Sequence, residues 1–372
     1  MLDLERQYTP LRQELLDALA GVLDSRQFIL GSAVAGFEEA AAKQLGVACA
    51  VGCSSGTDAL WLALAAAGIG AGARVITTPF SFFASVSAIV RAGATPVLAD
   101  IDPVSFNLSP AAVETVLDTL HGASVRAILP VHLYGQASFE FGPERGLAIV
   151  EDAAQAWGAS WKGKRAGGLG DAAAFSFYPT KNLSAAGDAG MVTTNSQELA
   201  ERARMLRQHG MRRRYYHDEM GWNTRMDGFQ GAVLAVKLKH IEGWNQARRK
   251  AAARYDTLFR AAALAEAGPY PEHGVVLPRE VPGAHHVWHQ YVIRTQRRDA
   301  LRDFLAARQI GSEIYYPVPL HLQQALRDLG YREGDLPEAE RAAREVLALP
   351  IFPEIREHEQ QAVVAAVAEF LG

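Results

Sequence analysis

Two charged groups set the chemistry open to this chain. Lys181 stands in Phe175-Ser176-Phe177-Tyr178-Pro179-Thr180-Lys181-Asn182, and an acidic cluster, Glu151-Asp152-Ala153-Ala154-Gln155, lies upstream of it. An amine can condense with an aldehyde as a Schiff base, and a carboxylate can keep a pyridine nitrogen protonated so that the ring withdraws electrons. Pyridoxal phosphate requires both groups. Either one alone would read as a solvated lysine or an acidic turn. Here each follows an apolar run, Gly146-Leu147-Ala148-Ile149-Val150 before Glu151 and Ala172-Ala173-Ala174-Phe175-Ser176-Phe177 before Lys181. Such runs suit buried parallel strands, and open α/β sheets place their ligands at the strand ends.

A phosphorylated cofactor also needs amide donors and hydroxyls at a helix start, where unpaired N–H groups and the helix dipole converge. Ser54-Ser55-Gly56-Thr57-Asp58-Ala59-Leu60 supplies them between a predicted strand and a predicted helix, although a plain Ser N-cap would look the same. In Thr78-Pro79-Phe80-Ser81-Phe82-Phe83, one ring has to face the site to stack on a pyridine, and the others can be core. Gly68-Ile69-Gly70-Ala71-Gly72 follows a helix and precedes a strand, the reverse of a dinucleotide-binding loop, and Gly167-Gly168-Leu169-Gly170-Asp171 likewise precedes a strand.

The elements that must position these groups alternate along the chain. After an amphipathic helix carrying Leu11, Leu15, Leu19 and Val22, strands are predicted at 47–51, 74–78, 95–99, 125–133, 146–150, 172–178 and 190–194, with helices at 57–67 and 83–92 between them. The class is therefore α/β with a large, mostly parallel sheet. A long bridging helix over about 229–260 leads to a smaller C-terminal α+β domain, with a strand at 286–294, a helix at 298–308, a short strand at Ile314-Tyr315-Tyr316 and a helix at 339–347. The division falls into a large domain, 1–240, and a small one, 241–372, as a chain of 372 residues suggests.

A formal net charge of -4 argues against general nucleic-acid binding, and Arg212-Arg213-Arg214 is the one basic run able to serve phosphates. Cys49 and Cys53 form no zinc or disulfide pattern, and His285, His286 and His289 lack a carboxylate partner nearby in sequence, so no metal is expected. The N-terminus carries acid where a leader would be apolar, and no stretch of ~18 uncharged apolar residues occurs, so a cytoplasmic protein away from the membrane is expected.

The chain resembles the DegT/StrS-like family, the sugar aminotransferases among the fold type I pyridoxal phosphate enzymes. The resemblance rests on Phe28-Ile29-Leu30-Gly31, Ser55-Gly56-Thr57-Asp58-Ala59-Leu60, Thr78-Pro79-Phe80-Ser81-Phe82, Val131-His132-Leu133-Tyr134-Gly135-Gln136, Glu151-Asp152-Ala153-Ala154-Gln155, Ser176-Phe177-Tyr178-Pro179-Thr180-Lys181-Asn182-Leu183, Gly221-Trp222-Asn223-Thr224-Arg225-Met226 and Tyr316-Pro317-Val318-Pro319-Leu320-His321. It implies that Lys181 bonds to the cofactor, Asp152 pairs with the ring nitrogen, Gln155 meets the ring hydroxyl, and Phe82 stacks on the ring. It assigns Ser176, Gly56 and Thr57 to the phosphate. Asn223 and Arg225, from a segment that reaches the neighbouring protomer's phosphate in similar enzymes, imply a homodimer with shared sites. Similar proteins usually carry a longer crossover between Gln136 and Glu151 than Ala137 to Arg145 allows.

The same resemblance implies transfer of an amino group from an amino acid, glutamate being usual, to a nucleotide-linked keto sugar. The wording from Ser176 through Gly187-Asp188-Ala189-Gly190 is most like that of enzymes aminating C3 of dTDP-3-keto-6-deoxyhexoses. Tyr178 and His321 are candidates beside the sugar, and Arg212 to Arg214 with Tyr215 and His217 are candidates for its diphosphate. Relatives that dehydrate sugars place a histidine where Lys181 stands, and a few similar proteins are regulators; the intact lysine, Asp152, Gln155 and Ser176 favour amino transfer.

Overall fold

The computed structural model describes residues 1–120, 124–137 and 146–372. Residues 138–145, where the sequence marks an abbreviated crossover, lie outside the described residues. Seven strands form the main sheet: β1 (Cys49–Cys53), β2 (Arg74–Thr77), β3 (Thr95–Leu98), β4 (Val125–Leu129), β5 (Ala148–Asp152), β6 (Ala172–Ser176) and β7 (Gly190–Thr194). Their spatial order is β1-β7-β6-β5-β4-β2-β3. β7 runs antiparallel to both neighbours and the remaining pairs are parallel. The sheet is thus mixed and mostly parallel, with β5 and β6 side by side so that Asp152 and Ser176 come off the same edge.

The central strands are buried along their length because helices cover them. In β6, Ala172 and Ala174 are small enough to let α1 (Gly56–Ala66) pack close, and on the opposite face Phe175 packs beside Ala173 against Trp157 at 4.9 Å between ring centroids. A buried phenylalanine of this kind contributes about 1.5–3 kcal/mol. α1 is apolar all round, and Ala59 through Leu64 are all buried between sheet and neighbouring helices. Beside it runs α2 (Ala84–Arg91).

The bridging helix is two helices, α3 (Gly228–Leu238) and α4 (Ile241–Ala261). Lys239 and His240 donate to carbonyls three residues back, at 3.3 and 3.0 Å, which tightens and closes α3 and lets Ile241 turn into the core. A second sheet of four short strands follows, β8 (Ala265–Glu266), β9 (Val275–Val276), β10 (Tyr291–Arg294) and β11 (Val346–Leu349), in chain order. The strand predicted at 286–294 is therefore confined to its end. Trp288 takes a positive φ of 49°, its indole stacks on His286 at 4.0 Å, and its N–H donates to His286 Nδ1 at 2.9 Å, so the chain turns where a strand would extend.

Ile314-Tyr315-Tyr316 forms no strand; only Glu313 bridges to Ala348, and Pro317 and Pro319 offer no further donors. The helix predicted over 339–347 runs Pro337–Glu345, and Val346 onward is strand. One core joins both sheets, running from α1 through Tyr134 to Trp288, Tyr291 and Val346–Leu349. Among the described residues, no helix is long and apolar enough to cross a membrane.

Candidate active site

Lys181 sits in the loop that follows β6. Phe177 anchors that loop: its N–H donates to Ala189, its carbonyl accepts from Ala185 N–H, both at 2.8 Å, and its ring is packed against Phe37 and Trp157. The next residue, Asn182, is buried and donates through Nδ2 to Asn245 Oδ1 at 2.9 Å and to the Val287 carbonyl at 3.1 Å. Lys181 is thus carried between two fastened residues. Burial pushes its pKa down to about 8 against the pull of nearby Asp152, and among the described residues nothing hydrogen-bonds or ion-pairs with the amine. A desolvated, unpartnered amine with this pKa is a nucleophile near neutral pH.

Glu151 and Asp152 end β5 on opposite faces, as adjacent strand residues must. Glu151 is saturated: it accepts from the N–H groups of Gly167, Leu169 and Gly170 at 2.8–2.9 Å and from His132 Nε2 at 2.8 Å, with His132 and Glu151 both fully buried. Glu151 therefore holds the 167–170 loop in place. Asp152 accepts Ser85 Oγ–H at 2.7 Å and Ala154 N–H at 3.2 Å. Its carboxyl pKa is raised, by burial first, with Ser85, Ala154, Lys181 and His132 opposing. A buried carboxylate whose charge is this poorly solvated gains strongly from a cationic partner.

Gln155 is oriented by its neighbours. Its Oε1 accepts Tyr134 N–H at 2.6 Å and its Nε2 donates to Tyr316 Oη at 3.3 Å, which leaves one N–H free. Tyr316 is a site residue that sequence reasoning passed over in favour of His321. It packs edge-on to Phe80 and at 6.3 Å from Phe82, and burial, then Asp152, raises its phenol pKa. The available signal was its place in Tyr316-Pro317-Val318-Pro319, a segment the resemblance singled out. Of the three phenylalanines after Thr78, Phe80 is fully buried, Phe83 packs with Leu98 and Leu320, and Phe82 is open at 60 % exposure.

The α1 N-terminus forms a cradle against Ser176. Ser55 caps the helix, its Oγ accepting Asp58 N–H at 3.1 Å, so the Gly56 and Thr57 amides stay outside the helical ladder. A Cβ at Gly56 would lie 2.5 Å from Ser176 Cβ and 3.0 Å from its Oγ, so only glycine lets the strand end and the helix start approach this closely. Asn223 and Arg225 run beside the same turn: Ser54 N–H donates to Thr224 carbonyl at 3.0 Å, Cys53 bridges to Arg225, and Arg225 Nε donates to Asn223 Oδ1 at 3.0 Å.

These residues fit a phosphorylated pyridine aldehyde. The cradle offers amides and hydroxyls to a phosphate, the buried Asp152 offers a negative charge to a ring nitrogen, and Lys181 offers a free amine.

The remaining candidates are placed less centrally. Tyr178 is exposed next to Ser176, whose Oγ accepts its N–H at 3.4 Å. Arg212 and Tyr215 lie on an exposed hairpin, Met211–Arg213 paired with Tyr216–His217, with Arg212 facing Asp218 at 3.4 Å. His321 is buried, its Nε2 bonded to Glu340 at 3.0 Å, so the structure does not bring its ring out beside Tyr178.

Known proteins resemble this chain along its whole length. A family model described as the DegT/DnrJ/EryC1/StrS aminotransferase family matches residues 10–368. A protein of Geobacillus stearothermophilus named pleiotropic regulatory protein is 48 % identical, over 100 % of this chain and 98 % of its own length. The dTDP-3-amino-3,4,6-trideoxy-alpha-D-glucose transaminase of Streptomyces venezuelae is 44 % identical, over 99 % and 95 %. The crystal structure of S. venezuelae DesV, described in complex with a ketimine intermediate, superposes with a TM-score of 0.93 at 43 % identity, over 99 % of this chain and 97 % of that one. With that coverage and this site, the chain belongs to the DegT/DnrJ/EryC1/StrS aminotransferase family and is a pyridoxal phosphate-dependent aminotransferase.

Proposed function

We propose that the protein moves an amino group from an amino acid, L-glutamate as donor, to a nucleotide-linked keto sugar, a dTDP-3-keto-6-deoxyhexose aminated at C3. The observation that carries the catalytic part is the unpartnered Lys181 amine beside buried Asp152. The dTDP-sugar assignment is supported by the Streptomyces venezuelae transaminase. Bound pyridoxal phosphate supplies the electron sink that labilises the bonds at the donor's α-carbon.

The chain's own residues do the rest. Lys181 would hold the cofactor and, as a free amine, would move a proton to and from the donor's α-carbon as a general acid–base, a task suited to a pKa of about 8. Asp152 keeps the ring nitrogen's proton in place, and the free N–H of Gln155 orients the ring hydroxyl. Phe82 stacks on the ring, while Gly56, Thr57 and Ser176 bind the phosphate. Asn223 and Arg225 serve the neighbouring protomer of a homodimer. Tyr178 borders the sugar, and Arg212 and Tyr215 meet the diphosphate. We assign the cofactor groups to a unit of residues 1–240 and the wall bearing Tyr316 to residues 241–372, acting together in the cytoplasm.

The 48 % identical relative carries a regulatory name, and a non-catalytic role is the competing reading. It predicts no turnover. Incubation with L-glutamate and a panel of dTDP- and UDP-linked 3-keto and 4-keto sugars, followed by mass spectrometry, decides the matter. A 3-amino dTDP-sugar is the expected product; amination of UDP-sugars alone or at C4 would overturn the substrate, and no product from any sugar would overturn the function.

A further inference from the structure

The phosphate cradle stands beside a carboxylate. Asp58 Oδ2 accepts the hydroxyl protons of both Ser54 and Ser55, the latter at 3.0 Å, while Ser55 Oγ in turn accepts Asp58 N–H. Both serine protons are therefore spent on Asp58, and the phosphate is left to the Gly56 and Thr57 amides and to the Thr57 and Ser176 hydroxyls. An ionised Asp58 so close to a phosphate dianion would repel it. Arg91, the last residue of α2, pairs with the other Asp58 oxygen. Its guanidinium also lies over the rings of Trp61, at 4.6 Å, and Trp222, at 5.6 Å, and those two indoles meet edge to face at 6.3 Å. Trp222 directly precedes Asn223.

We propose that Arg91 is a positioning residue for the cofactor phosphate. Through Asp58 it neutralises the carboxylate and fixes the Ser54-Ser55 turn that opens α1. Through Trp61 and Trp222 it holds the segment leading to Asn223 against the same turn, so one guanidinium steadies that turn from two directions. The proposal rests on the reading that the phosphate binds at Gly56, Thr57 and Ser176.

The test uses full-length apoprotein and pyridoxamine 5′-phosphate, which cannot condense with Lys181 and so reports non-covalent binding alone. Arg91→Met is expected to raise its dissociation constant about fivefold, the scale of a partly exposed ion pair lost beside a charge. Arg91→Lys should fall between wild type and Arg91→Met, because it keeps the charge and loses the planar stack. The deciding variant is Arg91→Met combined with Asp58→Asn. Removing both charges relieves the repulsion, and binding should return to within about twofold of wild type. A merely structural clamp predicts the reverse, a double variant weaker than either single one, and that result overturns the proposal. So does an unchanged dissociation constant in Arg91→Met while Ser176→Ala weakens binding. If Ser176→Ala and Thr57→Val also leave it unchanged, the phosphate lies elsewhere and the underlying site reading falls with the proposal.

Discussion

His289 donates its Nδ1–H to Asn182 Oδ1 at 3.1 Å, and Asn182 directly follows Lys181 in the chain. The direction follows from the rest of the chain of bonds. Asn245 Nδ2 donates to the Trp157 carbonyl at 2.9 Å, so Asn245 presents its oxygen to Asn182 Nδ2, and Asn182 in turn presents its oxygen to His289. Burial first, then the charges of Lys181, Arg248 and His286, keep the imidazole neutral. Its proton therefore sits on Nδ1, and its Nε2 lone pair is fixed.

Losing this tether should slow chemistry without unfolding the protein. Asn182→Ala and His289→Leu are each expected to lower the single-turnover rate with glutamate about tenfold, one or two buried hydrogen bonds' worth. Because both variants break one network, the double variant should be no slower than either alone. His289→Gln, which can still donate to Asn182, should stay within about threefold of wild type. A fully additive double variant would show that the two residues act separately.

The pKa of Lys181, pushed down to about 8 by burial, makes a signed prediction for cofactor capture. Only the unprotonated amine attacks an aldehyde, so the rate at which apoprotein captures pyridoxal phosphate should rise about tenfold per pH unit below 8 and level off above it. Asp152 opposes the downward shift, so in Asp152→Asn the break in the profile should move to lower pH. Stopped-flow absorbance across pH 6 to 10 reads both, and a break at or above 10 would mean that the amine is solvated. Lys181→Ala should lose borohydride-fixed label and transamination altogether.

Much of this site was legible because it hangs on strand ends and a helix start, where local patterns are strong. The apolar runs before Asp152 and Lys181 and the Ser55-Gly56-Thr57 start fix their own positions with little help from distant residues. The wall bearing Tyr316 and His289 was not legible in the same way. Its chain turns at His286 and Trp288 through a stacked pair of rings and reaches the site without regular structure, so no periodicity announces it. His321 shows the limit of motif reading, since only the fold reveals that Glu340 claims its ring.

Gly56 makes a steric prediction. An alanine there would place its methyl 2.5 Å from Ser176 Cβ and 3.1 Å from Ser176 Cα, so β6 and α1 would have to part. Gly56→Ala should weaken pyridoxamine 5′-phosphate binding by about a hundredfold, because the donors on both sides shift together. Adding Ser176→Gly removes the nearest colliding atom and should restore thermal stability toward wild type, but not binding, since the hydroxyl is gone. Equal binding by Gly56→Ala and wild type, measured by equilibrium dialysis, would show that the cradle is wider than its geometry implies.

Lys237 supplies the last prediction, and its sign is fixed by linkage. It is fully buried in α3, where Nζ donates to Ser184 Oγ at 2.5 Å and to Tyr8 Oη at 3.2 Å and faces the Tyr8 and Trp244 rings. Burial pushes its pKa down to about 7 from 10.5. Between those two values the unfolded chain holds a proton that the folded chain has released, so stability rises with pH across the window, by at most about 1.4 kcal/mol per unit from this residue. Below pH 7 both states are charged and the gain is absent. Lys237→Met removes the titration, so the stability difference between variant and wild type should shift steadily toward wild type from pH 7.5 to 9.5, where Lys181 changes both proteins alike. Urea denaturation at three pH values measures the trend; a difference that stays constant would mean that Lys237 keeps its proton in the fold, and that the rings of Tyr8 and Trp244 stabilise a cation there.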